Sequence, residues 1–305
     1  MKLSVVVTIV DDGSALHRCL AALAAQETSP PLEVLVPYDT TVGGIEELRA
    51  AFPHFLFLDI GAHRLRRAPA SPAGQHELID IRRAAGLRHA SGDIIAMLED
   101  RGGPRSTWAA KVIMAHARVA AGGAAAIGGA VENGRDRILN WAVYFCDFAK
   151  YQLPLEEGPA AWITDVNLSN KREVLQRARR FWEGRYHETT MHWNLRRHGE
   201  ELWFTPELVV DQHRDNLTIG SLLAERLAWG RLFACTRVRE MSPAGRVGLS
   251  LLTPLLPALL FLRLLRLSFE KRSNLGRLVR AAPVTLLLLT VWSLGELVGY
   301  VTGTE

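Results

Sequence analysis

Apolar runs and amphipathic stretches alternate through the first half of the chain. Residues 3–10 form a continuous, largely β-branched run, the pattern of a strand covered on both faces. Leu16, Leu20 and Leu23 follow at i, i+4 and i+7, which predicts one apolar face of a helix, with Ser14 placed to cap it. Residues 32–36 and 55–60 predict a second and a third strand, 76–89 a helix, and 93–98 a fourth strand. Pro104 is placed to open the next helix, whose Trp108, Val112 and Ala115 share one side. A further strand is expected at 125–131, inside a glycine- and alanine-rich stretch that implies tight packing. Residues 137–158 then turn aromatic (Trp141, Tyr144, Phe145, Phe148, Tyr151), as a helix packed beside a core does.

This alternation predicts an α/β fold with a mostly parallel sheet and helices on both faces. Ligands of such sheets bind beyond the carboxyl ends of the strands. The residues just past those ends are Asp11 and Asp12, then Asp39, then Glu99 and Asp100. An acid at a loop start is common because it caps a helix. Recurrence along one rim is better evidence of a site.

Composition changes the picture in two places. The chain has 305 residues, 48% hydrophobic and 22% charged, and a net charge of +4. That is room for one large α/β domain and an appendage. The apolar residues crowd into the last sixty or so positions, and the basic ones are densest beside them, which favours a membrane surface over nucleic acid as the partner. Cys19, Cys146 and Cys235 are widely spaced and suggest neither a disulfide framework nor a metal knuckle. The N-terminal run has one lysine and no small-residue cleavage site, so it reads as a buried strand rather than a signal peptide.

Several blocks carry a family resemblance. SVVVTIVDDGSALHRCLAALAAQ resembles the first strand and helix of family 2 glycosyltransferases, and LEVLVPYDTT their second strand with its nucleotide-binding acid, here Asp39. RRAAGLRHASGDIIAMLEDRGGPRSTW resembles the segment in which an apolar strand ends in an acidic motif. The resemblance implies a GT-A fold, an inverting transfer, and a nucleotide-diphosphate sugar held by Asp11, Asp39, Arg83, Glu99, Asp100 and Arg101. Glu99, Asp100 and Arg101 stand where the family has Asp-x-Asp, a motif that holds Mg²⁺ or Mn²⁺ on the diphosphate. Arg101 replaces the second acid. The divalent cation is therefore in question, and the guanidinium is suited to the phosphate oxygens instead. ITDVNLSNKREVL resembles the acceptor side, with Asp165 and Asn167 as candidate contacts; Asn167 also fits a turn. In YHETTMHWNLRRHGEELWFTPELVVDQH, spacing back from Gly199 puts Glu188 in the position of the family's catalytic acid. A general base must take the acceptor proton there; the plainer alternative is an acid stabilised by a helix N-terminus. His213 falls where the family has a histidine near the diphosphate and, with Glu99, is a candidate metal ligand. His187, His192 and His198 read as surface residues of the helix.

The expected organisation is a glycosyltransferase domain over 1–240 and a membrane-associated helical tail over 241–305, similar to extensions on some bacterial members. Residues 247–262 are apolar, interrupted by Pro254 and Pro257 and followed by Arg263 and Arg266; 281–302 contain no Lys or Arg but include Glu296. The charges fit a first segment lying in the interface and a second that crosses or dips into the bilayer. The expected place is the cytoplasmic face of the inner membrane, with a sugar or lipid-linked acceptor, such as a cell-envelope polysaccharide. The rival reading is a non-catalytic, nucleotide-sugar-binding membrane scaffold of the same fold, motivated by Arg101.

Overall fold

The structure, a computed structural model, describes residues 1–10, 13–28, 31–119, 124–238 and 241–303. The chain forms two compact units. One comprises Met1–Pro69, Gly74–Glu132 and Leu153–His213; the other comprises Ala70–Ala73, Asn133–Gln152 and Arg214–Glu305. The boundary expected at 240 falls inside the second unit, after its first long helix.

The first unit is α/β. Its strands are β1 (Leu3–Thr8), β2 (Glu33–Tyr38), β3 (Leu56–Asp59), β4 (Ile94–Glu99), β5 (Gly102–Pro104), β6 (Ala124–Asn133), β7 (Gly158–Ala160), β8 (Asn167–Lys171) and β9 (Glu201–Gln212). Their order in the sheet is β3-β2-β1-β4-β8-β6-β9-β5, with β7 paired to β9. β1 to β4 are parallel, and β8 joins β4 antiparallel. The order reverses between β1 and β4. That switch point is where an open α/β sheet leaves a crevice, and Glu99 ends β4 at its edge.

The helices are α1 (Leu16–Ala24), α2 (Ile45–Ala51), α3 (Pro72–His89), α4 (Trp108–Val119), α6 (Arg172–Arg177) and α7 (Glu188–Arg197). Strand periodicity divides the core. Val5, Val7, Ala96 and Leu98 pack with Leu16 and Leu20 of α1 and Trp108 and Val112 of α4. Val6, Ile95 and Met97, pointing the other way, pack with Ala84 and Leu87 of α3, Val174 of α6 and Leu195 of α7. Each such buried Val, Leu or Ile contributes about 1.5–3 kcal/mol of transfer free energy.

Three local expectations differ. Ser14 does not cap α1: Ala15 stands at the N-cap with no side-chain bond, and a Leu16 N–H to Gly13 carbonyl turn of 3.0 Å starts the helix. Pro104 ends β5 rather than opening α4, because Gly102 and Gly103 pair with β9. His192 is not on the surface of α7; it is buried, its ring edge-on to Trp162 at 4.9 Å. The glycine-rich stretch does pack tightly. A Cβ on Gly129 would lie 2.1 Å from the Leu208 carbonyl.

The second unit is helical, built from α5 (Ile138–Phe148), α8 (Ile219–Val238), α9 (Pro243–Leu252), α10 (Leu256–Glu270) and α11 (Leu275–Thr302). Pro254 lies in a tight turn between α9 and α10, which interrupts the apolar run there. Glycines bring α8 and α11 into backbone contact: a Cβ on Gly230 would meet the Trp292 carbonyl at 2.2 Å, and one on Gly295 the Leu227 carbonyl at 2.3 Å. Glu296 accepts from Trp292 Nε1 at 2.6 Å and from the Tyr300 hydroxyl at 3.0 Å. Its carboxylate is thus held inside the helix packing and does not face outward.

Candidate active site

The strand ends position the first group. Glu99 leaves β4 with one carboxylate oxygen accepting from Arg83 at 3.2 Å and the other from Gln212 Nε2 at 3.1 Å. Gln212 reaches it because β9 pairs with β5, and the same pairing puts the His213 N–H on the Arg101 carbonyl at 2.8 Å. Glu99, Arg101 and His213, far apart in sequence, thus share one rim. Asp100 is turned to the framework: its N–H bonds the Thr8 carbonyl at 2.9 Å, and its Oδ1 accepts from the Val10 N–H at 3.1 Å. It ties the ends of β1 and β4 together.

α3 supplies the centre. His76, Asp80 and Arg83 fall at i, i+4 and i+7 and so form one polar stripe. Arg83 is buried and pairs with Asp165 at 2.5 Å as well as with Glu99, and lies 3.9 Å from Asp80. Burial opposes its charge, but these carboxylates and Glu188 reverse the balance and raise its pKa.

Glu188 is the first residue of α7, but His187 makes the cap, its Nδ1 accepting from the Thr190 N–H at 3.4 Å. The Glu188 carboxylate turns inward, taking the Trp162 Nε1–H and, at 3.4 Å, the Asp165 N–H. Burial pushes its pKa well above the ordinary carboxylate range, and the Asp165 charge adds to this; Arg83 and Trp162 oppose it without prevailing. Glu99 and Asp80 are raised for the same first reason, burial. His76 is held down at about 3 by burial, then by His187 and Arg83. The result is a buried carboxylate cluster around one guanidinium, with a carboxyl group of unusually high proton affinity. That is the property a base needs when it takes a proton from a sugar hydroxyl.

Asp39 belongs to a separate pair. Its Oδ1 accepts from the Thr41 N–H and hydroxyl at 2.9 and 2.6 Å, its Oδ2 from Arg82 Nε at 2.7 Å. Arg82, 0% exposed, also donates to the Ile9 carbonyl at 2.6 Å. Burial would raise the Asp39 pKa; the Thr41 bonds and Arg82 outweigh it and hold the carboxyl below its usual value.

The chain shares a fold with a known enzyme. It is similar to the mannosyltransferase PcManGT from Pyrobaculum calidifontis, whose structure is in complex with GDP-Man and Mn²⁺, with a TM-score of 0.53, 16% identity, and coverage of 100% of this chain and 88% of that one. Residues 1–349 of S. aureus TarS align over 100% of this chain and 92% of theirs, at 12% identity and a TM-score of 0.48. No family model and no curated protein matches the chain. At 16% identity the likeness to the mannosyltransferase is one of fold, and it agrees with the GT-A fold that the family resemblance implied.

Of the residues expected from the sequence, Arg83, Glu99, Asp165 and Glu188 come together in one cluster. Asp11 lies outside the described residues. Asn167 does not face a site: its Oδ1 takes the Trp108 indole N–H at 2.9 Å, and its Nδ2 donates to the carbonyls of Ala130 and Leu208 at 2.8 and 3.0 Å. With donors and acceptor all engaged, it cross-braces the strands. No motif foreshadowed Arg82, Trp162 or Gln212. The α3 stripe was readable, because a helix that repeats polar residues at the spacing of an apolar face has a polar partner.

Proposed function

We propose that the chain is an inverting glycosyltransferase that moves a sugar from a nucleotide-diphosphate donor to a hydroxyl acceptor at a membrane surface. The observation that carries this reading is Glu188, a half-buried carboxylate of raised pKa beside Asp165 and Arg83, on a fold shared with a GDP-Man-bound mannosyltransferase. In the step assigned here, the acceptor oxygen attacks the anomeric carbon as Glu188 takes its proton. The bond from that carbon to the diphosphate oxygen breaks on the opposite side, and the nucleoside diphosphate leaves with the electron pair. Asp39, oriented by Thr41 and Arg82, is assigned to the nucleoside. Arg101 is assigned to the leaving diphosphate, and Asp165 to an acceptor hydroxyl.

A divalent cation, present in the PcManGT complex, would supply charge neutralisation at the diphosphate. Glu99 and His213 are the side chains on the rim that could join phosphate oxygens in holding it. Among the described residues no group of three or more His, Cys, Asp or Glu side chains is arranged to hold a metal ion, and Glu99 is already shared by Arg83 and Gln212. The step above therefore rests on the chain's own groups.

The membrane part of the reading rests on surface chemistry. Pro243–Glu270 and Leu275–Thr302 are each 28 residues, long and apolar enough to cross a bilayer. Leu251, Leu255, Leu259 and Leu262 of the first are exposed, and Leu287, Leu294, Val298 and Val301 make one outward stripe on α11. An interfacial α9–α10, with Arg263 and Arg266 reaching to headgroups on the cytoplasmic face, covers the first set.

The deciding experiment assays transfer and hydrolysis over a panel of nucleotide sugars, with Glu188→Gln in parallel. Turnover of one donor by the wild type alone supports the reading. Donor binding without turnover by either protein would replace it with the non-catalytic scaffold.

A further inference from the structure

The second unit gathers cations at one place. Arg137, just before α5, and Trp141 line one recess together with Arg277 and Arg280 of α11, and Asp136 is its carboxylate. The Arg277 guanidinium lies over the Trp141 ring, 4.6 Å from its centroid, and its Nη1 donates to Asn274 Oδ1 at 2.7 Å. Its Nε is 3.7 Å from Asp136, which also accepts from Trp141 Nε1 at 2.5 Å. Arg277, Asp136 and Trp141 thus join the start of α5 to α11. None of the groups assigned to sugar transfer lines the recess.

Arg137 and Arg280 take no part in that joint. Both are exposed, and neither side chain has an ion-pair or hydrogen-bond partner among the described residues. Asp215, another carboxylate of this unit, is paired with Arg135 at 2.8 Å. The recess therefore carries three guanidiniums against one carboxylate, and the surplus sits on two side chains that the fold does not use. Arg280 also heads the outward stripe of α11. Positions 280, 287, 294 and 301 are seven apart, about two helical turns, so they share a face. Leu287, Leu294 and Val301 on that face are exposed. Beyond Arg280 the helix has no Lys or Arg. Unmatched positive charge and apolar surface thus meet at one edge, as headgroups and acyl chains do in a lipid layer.

From this we infer that this edge of the second unit docks on an anionic lipid surface, with Arg137 and Arg280 among the headgroups and Leu287, Leu294 and Val301 against the acyl chains. The negative potential of such a surface attracts each unpaired guanidinium, whereas a zwitterionic surface exerts no net pull. Arg277 is already engaged by Asp136 and Trp141, so it shapes the recess and adds little to the selectivity. The inference rests on the membrane reading of the helical unit and not on the transferase reading, and it names the lipid class that the unit prefers.

The test is co-sedimentation of the full-length protein, diluted out of detergent, with two kinds of vesicle. One is dioleoyl phosphatidylcholine alone; the other replaces about a third of it with dioleoyl phosphatidylglycerol, which makes the surface negative. Half-binding of the wild type should need about thirtyfold less of the mixed lipid. Arg137→Gln with Arg280→Gln should cut that advantage to less than about fivefold and leave binding to the neutral vesicles unchanged. Arg64→Gln with Arg66→Gln removes the same charge from exposed positions of the first unit and should leave the advantage in place. Equal affinity of the wild type for both vesicles overturns the proposal and leaves the membrane reading standing. An equal loss of the advantage in the two paired variants also overturns it. Failure to bind either vesicle would remove the membrane reading and this proposal with it.

Discussion

The Arg83 guanidinium meets the Asp165 carboxylate at 2.5 Å, joining the middle of α3 to the loop that leads into β8. Through this contact a helix residue and a loop residue remote in sequence are held against Glu99 and Glu188, and most of the electrostatics of the candidate site follow from it. Arg83 offsets part of the carboxylate charge in the cluster. Burial raises the proton affinity of Glu188 and Asp80, the Asp165 charge adds to it, and Arg83 offsets only part of the rise.

Glu188→Gln keeps the shape of the side chain and removes its basicity. Turnover should fall by at least about a hundredfold, the scale of general-base catalysis, with donor affinity unchanged. Calorimetric donor binding and initial rates check both halves. Wild-type turnover in the variant would remove Glu188 from the mechanism.

A base works when deprotonated, so activity should rise with pH through the Glu188 pKa. Because burial and then Asp165 raise that pKa, the acid limb of kcat/KM should lie above the ordinary carboxylate range. Asp165→Asn removes the negative charge and should move the limb to lower pH, whatever it does to the maximal rate. A limb that stays in place in the variant would contradict the coupling.

Arg82 and Asp39 are 0% and 2% exposed, so removing one partner strands a buried charge. Arg82→Met should cost about 3–5 kcal/mol by denaturant unfolding, and Arg82→Met with Asp39→Asn should recover part of it. The Asp39 pKa is depressed in the fold. Its share of stability is therefore present above the unfolded carboxylate pKa and lost as pH falls through the folded value. Arg82→Met should flatten that acid dependence.

Arg101 occupies the place of a second metal-binding acid in the motif that the sequence resembles. Chelation should lower activity by less than about tenfold, and Arg101→Asp should make activity dependent on added Mn²⁺. Complete loss of wild-type activity with chelator, restored by Mn²⁺, would show the cation to be essential.

Gly230 and Gly276 are both helical, but only Gly230 is crowded. Gly230→Ala should lower stability in detergent by about 1–3 kcal/mol, because the new Cβ must displace the α11 backbone. Gly276→Ala, with open space around it, should raise stability by up to about 1 kcal/mol through helix propensity. Thermal unfolding of the two variants side by side separates contact from propensity.

The sequence alone determined the elements whose cause is local. β-branched runs become buried strands because both faces of a central strand are covered. Leu16, Leu20 and Leu23 make a face because helical geometry aligns them. The acids beyond the strands mark the rim because parallel strands end on the same side. Residue partnerships are decided elsewhere, since they depend on which strands become neighbours. Asn167 has the spacing of an acceptor contact, yet β8 lies between β4 and β6, and its amide is consumed in bracing them. His192 resembles a surface residue until Trp162 folds over it. Gln212 reaches Glu99 only because β5 pairs with β9, and Arg82 reaches Asp39 only because α3 packs along β1 and β2. Hydrophobic periodicity is encoded within a few residues and can be read there. Paired charges are set by contacts between segments distant in sequence, and only the assembled sheet brings those segments within reach of one another.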